Sequence, residues 1–204
     1  MPTRAESTNL IVNAVASQYE NDLVIPDHKP KNQFILCPVG LVGAGKTTVL
    51  KPLSEKLSLV IISGDEIRKL LYDRGLSFND TWKIRQSLIK KLVLEGYGVA
   101  HDSDCATPET QQFLKVLAMN TGIRLIWIHI NPPEKFIINK LMSYDYSRSW
   151  LFQDSKHAIQ NYYQRKPLHK NLNLPFLYTF DTSKENLPQQ IDEAIKVIGT
   201  EVGF

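Results

Sequence analysis

Little in the 204-residue chain is present in excess, and its shortages narrow the reading first. There are only two cysteines, Cys37 and Cys105, each among apolar neighbours and without metal-type spacing. That excludes a disulfide scaffold or a thiolate metal site and suits buried thiols in a reducing compartment. No apolar run approaches the roughly 20 residues that cross a bilayer, and no basic segment leads into a long hydrophobic one at the N-terminus, so a soluble cytoplasmic protein is expected. Neither sign of charge dominates: the net charge is +3, too mild to diagnose a nucleic-acid partner. Repeats, low-complexity tracts and heptad seams are missing too. Guanine recognition of the GTPase type needs Asn-Lys-x-Asp, and the one Asn-Lys pair, Asn139-Lys140, continues Leu141-Met142-Ser143, which disfavours a guanine switch.

What is present is a rhythm. Five short apolar, β-branched runs, Phe34–Val39, Leu59–Ser63, Gly98–Asp102, Ile123–Ile130 and Phe176–Asp181, read as buried parallel strands. Helical spacing separates them at Asp65–Tyr72, Asp80–Leu94, Pro108–Asn120 and Pro133–Leu141, and a last helix is expected at Leu187–Ile198. This alternation predicts an α/β fold, a five-stranded parallel sheet with helices on both faces, in one domain over residues 33–204. Residues 1–32 fall outside it: Leu10, Ile11, Ala14, Val15 and Tyr19 are spaced for an amphipathic helix, followed by a linker at Pro26 to Pro30. An appendage packed on the domain is expected, with a partner-docking helix as the other reading.

Straight out of the first strand run Gly40-Leu41-Val42-Gly43-Ala44-Gly45-Lys46-Thr47, a complete G-x-x-x-x-G-K-[ST] phosphate-binding loop, with Thr48 continuing into a helical stretch. Glycines let successive backbone N–H groups turn inward around a polyphosphate, the lysine reaches the β and γ oxygens, and the Thr47 hydroxyl can ligate Mg²⁺. The helix behind it starts where unpaired N–H groups and the dipole favour negative charge. A nucleoside triphosphate, ATP with Mg²⁺, is the expected ligand. Pro52 interrupts this helix pattern and should cost the Thr48 carbonyl its donor and bend the helix.

Ligands of doubly wound sheets sit at the carboxyl ends of the strands, so the segments that close strands two and three are the chemical candidates. After the second comes Ser63-Gly64-Asp65-Glu66-Ile67-Arg68. Asp65 could accept the proton of an attacking hydroxyl or merely cap the helix, and Arg68, a turn on, could hold an anionic or polar part of a substrate. The third ends His101-Asp102-Ser103-Asp104. Asp102 is the first choice for magnesium, through its water shell, with Asp104 on the same strand face as competitor; His101 points the other way and reads as structural. From residue 140 to 170 basic side chains, Lys140, Arg148, Lys156, Arg165, Lys166 and Lys170, outnumber acidic ones, with aromatics interleaved. A lid closing over the triphosphate fits this mixture, with Arg148 or Lys140 supplying its charge. A solvated helical pair, or a surface on which single-stranded bases stack, fits it as well.

Together, Gly40 to Thr48, Ile62 to Arg68, and Asp102 followed by Pro108-Glu109 resemble the predicted-kinase group of P-loop proteins called AAA_33 or zeta-toxin-like, which is related to polynucleotide 5′-hydroxyl kinases and chloramphenicol phosphotransferase. The likeness spans about residues 34–198. It implies ATP on the loop, Asp65 serving the acceptor hydroxyl, Arg68 contacting substrate and Asp102 at the magnesium-associated strand end. Val42 in place of a frequent proline, and Lys140 where an arginine often starts the lid, depart from the pattern. The expectation is a kinase moving the γ-phosphoryl of ATP to a hydroxyl of a small or nucleotide-like acceptor; a polynucleotide 5′-hydroxyl kinase and a nucleotide-dependent regulatory ATPase are the alternatives.

Overall fold

In the computed structural model, which describes the backbone of residues 4–203 and the side chains of residues 11–203, five strands make one parallel sheet. These are β1 (Phe34–Val39), β2 (Leu59–Ser63), β3 (Gly98–Asp102), β4 (Arg124–Ile130) and β5 (Phe176–Phe180), ordered β2-β3-β1-β4-β5. Helices α1 (Arg4–Asn21), α2 (Lys46–Leu57), α3 (Gly64–Asp73), α4 (Thr81–Leu94), α5 (Pro108–Thr121), α6 (Glu134–Ser143), α7 (Ser155–Lys170) and α8 (Leu187–Val202) complete it, with short 3₁₀ turns at Phe78–Asp80 and Tyr146–Arg148. The expected five strands are all there, their ends shifted by at most one residue.

Every residue of β1 is buried, because helices cover both faces of a parallel sheet. Its side chains alternate between two cores. Phe34 and Leu36 pack with α2 and α8 residues such as Leu50, Leu53 and Ile198, whereas Ile35, Cys37 and Val39 pack with Ile67, Ile84, Leu88 and Leu114 of α3, α4 and α5. Cys37 and Cys105 are buried free thiols in the second core region.

The N-terminal helix belongs to that second core. Val15 and Tyr19 of α1 are buried there, and the helix lies against α3; the side chain of Leu10 lies outside the described residues. Pro52 does not break α2, which runs uninterrupted through it. Thr48, whose carbonyl loses its donor, is exposed, so water can take the place of the missing N–H.

The central crossing point of the sheet lies between β1 and its neighbours β3 and β4, where chain direction along the sheet reverses. The carboxyl ends of β1, β2 and β3 therefore deliver three separate segments of sequence to one place. No helix among the described residues is long and apolar enough to cross a membrane.

Candidate active site

The phosphate loop is held by its surroundings on three sides. Gly43 and Gly45 take positive φ, 79° and 95°, which L side chains rarely adopt. A Cβ on Gly40 would lie 2.7 Å from the Ile130 carbonyl oxygen, so that glycine lets the loop seat against the end of β4. From the β5–α8 turn, Thr182 Oγ1 donates to the Ala44 carbonyl at 2.7 Å. Lys46 folds back across the loop, donating to the carbonyls of Gly40 (2.7 Å) and Leu41 (3.1 Å). Burial lowers its ammonium below the ordinary lysine value, and Asp104, Asp102 and Asp65 oppose that shift.

Thr47 and Asp102 face one another, the hydroxyl 3.1 Å from Oδ2. Burial raises the Asp102 carboxyl above its ordinary value, partly offset by the Thr47 hydrogen bond and the Lys46 charge. One hydroxyl and one carboxylate are hard oxygen donors, too few to cage an ion alone but well matched to a magnesium that keeps waters and takes phosphate oxygens. No cluster of three or more His, Cys, Asp or Glu residues suited to a metal occurs among the described residues.

The other wall is built from β2 and α3. Ser63, not Asp65, caps α3, accepting the Glu66 N–H at 3.4 Å. The Ser63-x-x-Glu66 spacing is that of a capping box and could have been read from sequence. Asp65 is thereby free of capping: it is exposed, lines the cavity and pairs with Arg68 one turn later. Tyr19 of α1 fixes this junction from behind, its buried hydroxyl accepting the Ser63 N–H at 2.7 Å and donating to Glu66 at 3.3 Å. Burial, with Glu66 nearby, pushes that phenol well above its ordinary value, so it stays a neutral donor.

Asp102 and Asp104 take different surroundings. Asp104 Oδ2 accepts from Arg165 at 3.1 Å and His169 at 2.9 Å, both on α7. Burial would raise its carboxyl, but the His169 bond, then Lys46 and Arg165, leave it below the usual aspartate value. Asp104 thus ties the helix of the 140–170 segment to the end of β3. His101 is buried, with Nε2 3.3 Å from Arg85 and Nδ1 3.1 Å from Cys105 Sγ. A guanidinium can only donate, so Nε2 is the acceptor and a neutral ring carries its proton on Nδ1, toward the sulfur.

These pieces enclose a cavity of about 540 Å³. Lys46, Thr47, Thr48, Val42, Gly43 and Gly45 line one side and Asp65, Arg68, Asp102 and Asp104 another, while Lys140, Leu151, Phe152 and Arg165 face them from the 140–170 segment. Arg148 does not line it: the residue is exposed on its 3₁₀ turn, and Arg165, a turn before the end of α7, is the arginine of the 140–170 segment at the cavity. In the same segment, Trp150 lies against Tyr72 of α3 (ring centroids 6.3 Å) and Phe78 (6.1 Å, edge-on), so the segment also touches α3 and the turn after it. A larger cavity, about 940 Å³, lies between the linker after α1 and helices α2 and α3; it shares Thr47 and Asp102, but of the two only the smaller one is lined by Lys46.

The profile of the AAA_33 family, described as an AAA domain, matches residues 35–142, from β1 to α6. The chain belongs to that family. No characterised protein sequence matches this AAA domain protein significantly. Among solved structures, similar ones include the PezAT toxin–antitoxin system of Streptococcus pneumoniae (15% identity, TM-score 0.62, covering 100% of this chain and 99% of that one). A gluconokinase from Sinorhizobium meliloti 1021 matches at 14% identity, TM-score 0.56, covering 86% and 95%. The APS kinase CysC of Mycobacterium tuberculosis, solved with AMPPNP and APS, matches at 15%, TM-score 0.54, covering 83% and 98%. At such identities the likeness is one of fold, and the fold of this AAA domain is that of P-loop kinases.

Proposed function

We propose that the protein is a Mg²⁺-dependent kinase that transfers the γ-phosphoryl group of ATP to a hydroxyl of a small-molecule or nucleotide-like acceptor, working in the cytoplasm. The observation that carries this reading is the placing of Asp65, uncommitted to capping, in the same cavity as Lys46 and the Thr47–Asp102 pair. The kinases among its structural neighbours support it at the level of fold.

In this mechanism the loop N–H groups and Lys46 hold the β and γ phosphates and stabilise charge that builds on the transferred group. Magnesium, held by Thr47 and through water by Asp102, would neutralise phosphate charge. Asp65 accepts the acceptor's hydroxyl proton as its oxygen bonds to the γ phosphorus; the bond from that phosphorus to the bridging oxygen breaks, and ADP leaves. Arg68 holds Asp65 in place and faces the acceptor. Arg165 and Lys140 bring cationic charge from the lid, and the segment around Phe152 excludes water.

The test is ATP turnover with Mg²⁺ across pools of hydroxyl acceptors, comparing wild type with Asp65→Asn. Labelled phosphate in one pool, falling about 10²- to 10⁴-fold in the variant while ATP affinity holds, is the expected result. ATP bound and slowly hydrolysed, with no pool labelled, would turn the reading to a regulatory ATPase.

A further inference from the structure

Arg85, on α4, is a cationic cavity residue that the mechanism leaves unused. It lines the same cavity as Arg68, and its guanidinium presses on the β2–α3 turn that carries Asp65: a Cβ on Gly64 would lie 3.0 Å from Arg85 Nη1. Its one hydrogen bond among the described residues runs to His101 Nε2. An arginine offers five N–H donors, so most of Arg85's have no protein acceptor, and its Nε is buried with none. Arg68 is in the same state, with Nε buried and unpartnered and only Asp65 as partner.

The carboxylates nearby do not balance this pair. Asp102 faces Thr47, Asp104 is taken by Arg165 and His169, and Asp65 already pairs with Arg68. Arg85 forms no ion pair among the described residues. Trp82 lies under the Arg85 guanidinium, 5.0 Å from carbon to ring centroid, which orients the fork without neutralising it. Burial, and then the repulsion of Arg68, pull the Arg85 guanidinium down to about 10, still charged at neutral pH. Two half-buried cations at one cavity wall, short of acceptors, cost free energy that a bound anion would offset.

We propose that Arg68 and Arg85 form an anion-binding subsite, and that the phosphoryl acceptor is a small hydroxyl compound carrying a carboxylate, phosphate or sulfate group. The anion rests on the forks of the two arginines, which places the acceptor hydroxyl at Asp65, one turn from Arg68. The word acceptor rests on the kinase reading; the anion subsite does not. The smaller cavity favours a compact acid over a nucleic-acid strand, whose successive phosphates call for an open basic groove.

Two measurements test this. In the first, the protein is saturated with Mg²⁺ and AMPPNP, so that the phosphate loop is filled, and titrated with sulfate while tryptophan emission is followed, Trp82 being the reporter beside Arg85. Saturable binding is expected in wild type, weakened by about tenfold or more in Arg85→Gln with AMPPNP affinity unchanged, and partly restored in Arg85→Lys. The lysine variant also serves if the glutamine one does not fold. No saturable sulfate binding in wild type, or equal binding in Arg85→Gln, overturns the subsite.

In the second, turnover is measured on matched pairs, a sugar acid against its parent sugar and a sugar phosphate against the free sugar. Labelling confined to the charged member, with KM raised about 10- to 100-fold in Arg85→Gln, supports the proposal. Equal kcat/KM for the neutral member overturns it, and preferential labelling of a 5′-hydroxyl oligonucleotide overturns the small-acid class. Failure of every acceptor counts against the kinase reading, and the sulfate titration then decides the subsite by itself.

Discussion

The two walls of the cavity are made in opposite ways. The phosphate wall is one contiguous stretch, Gly40 to Thr48, whose shape is set by its own glycines and whose neighbours only brace it. The facing wall, where the proposed acceptor would sit, is collected from α3, α4, the end of β3, α7 and, behind them, α1; Asp65 and Arg68 pair within one turn, but Asp104 and the turn at Ser63 are held by partners far along the chain. A contiguous site can be moved between proteins with its chemistry intact; a collected one can change its substrate by altering any of several elements.

Substitutions on the two walls should therefore separate in their effects. The largest is expected for Lys46→Ala, which removes the loop's cation and should lower turnover by about 10²- to 10³-fold and weaken ATP binding; steady-state kinetics and calorimetry would show both. Next is Gly40→Ala, whose Cβ would collide with the Ile130 carbonyl oxygen, a backbone atom that cannot swing aside. About 1–3 kcal/mol of stability should be lost, together with nucleotide affinity, read by denaturant titration with and without ATP.

Tyr19→Phe strikes the acceptor wall from outside the family-matched region. It strips the buried Ser63 N–H of its acceptor, at a cost of about 1–3 kcal/mol, and loosens the turn bearing Asp65. Its signature should be lowered kcat with ATP affinity unchanged. If ATP affinity falls in step, the division between the walls fails. The smallest effect is expected from a double-mutant cycle on Asp104→Asn and Arg165→Gln. The partly exposed pair should couple by about 0.5–1 kcal/mol, with acceptor KM rising and ATP binding spared.

The same contrast explains what the sequence disclosed. The strand pattern and the loop were legible because their signals are local: apolar runs of strand length, and a glycine spacing tied to one ligand. Arg85 gave no such signal, since on α4 it sits between the buried Ile84 and Leu88 and reads as one more polar position of an amphipathic helix. Whether Asp102 or Asp104 stood nearer Thr47 could not be told from strand alternation, because residues two apart share a face; α7 distinguishes them in space by claiming Asp104. Choosing between Arg148 and Arg165 in the lid segment was harder still. Along α7 only Ala158 and Tyr162 are buried, too narrow an apolar stripe to set the helix phase from sequence.

The contact of Trp150 with Tyr72 and Phe78 bears on timing. These rings tie the 140–170 segment to α3 and to the turn before α4, and parting them would cost about 0.5–1.5 kcal/mol for each aromatic pair. On the proposed kinase reading, such a clasp would act as a clock on departure, lengthening the stay of whatever the cavity holds and setting a pace for the cycle apart from the transfer itself.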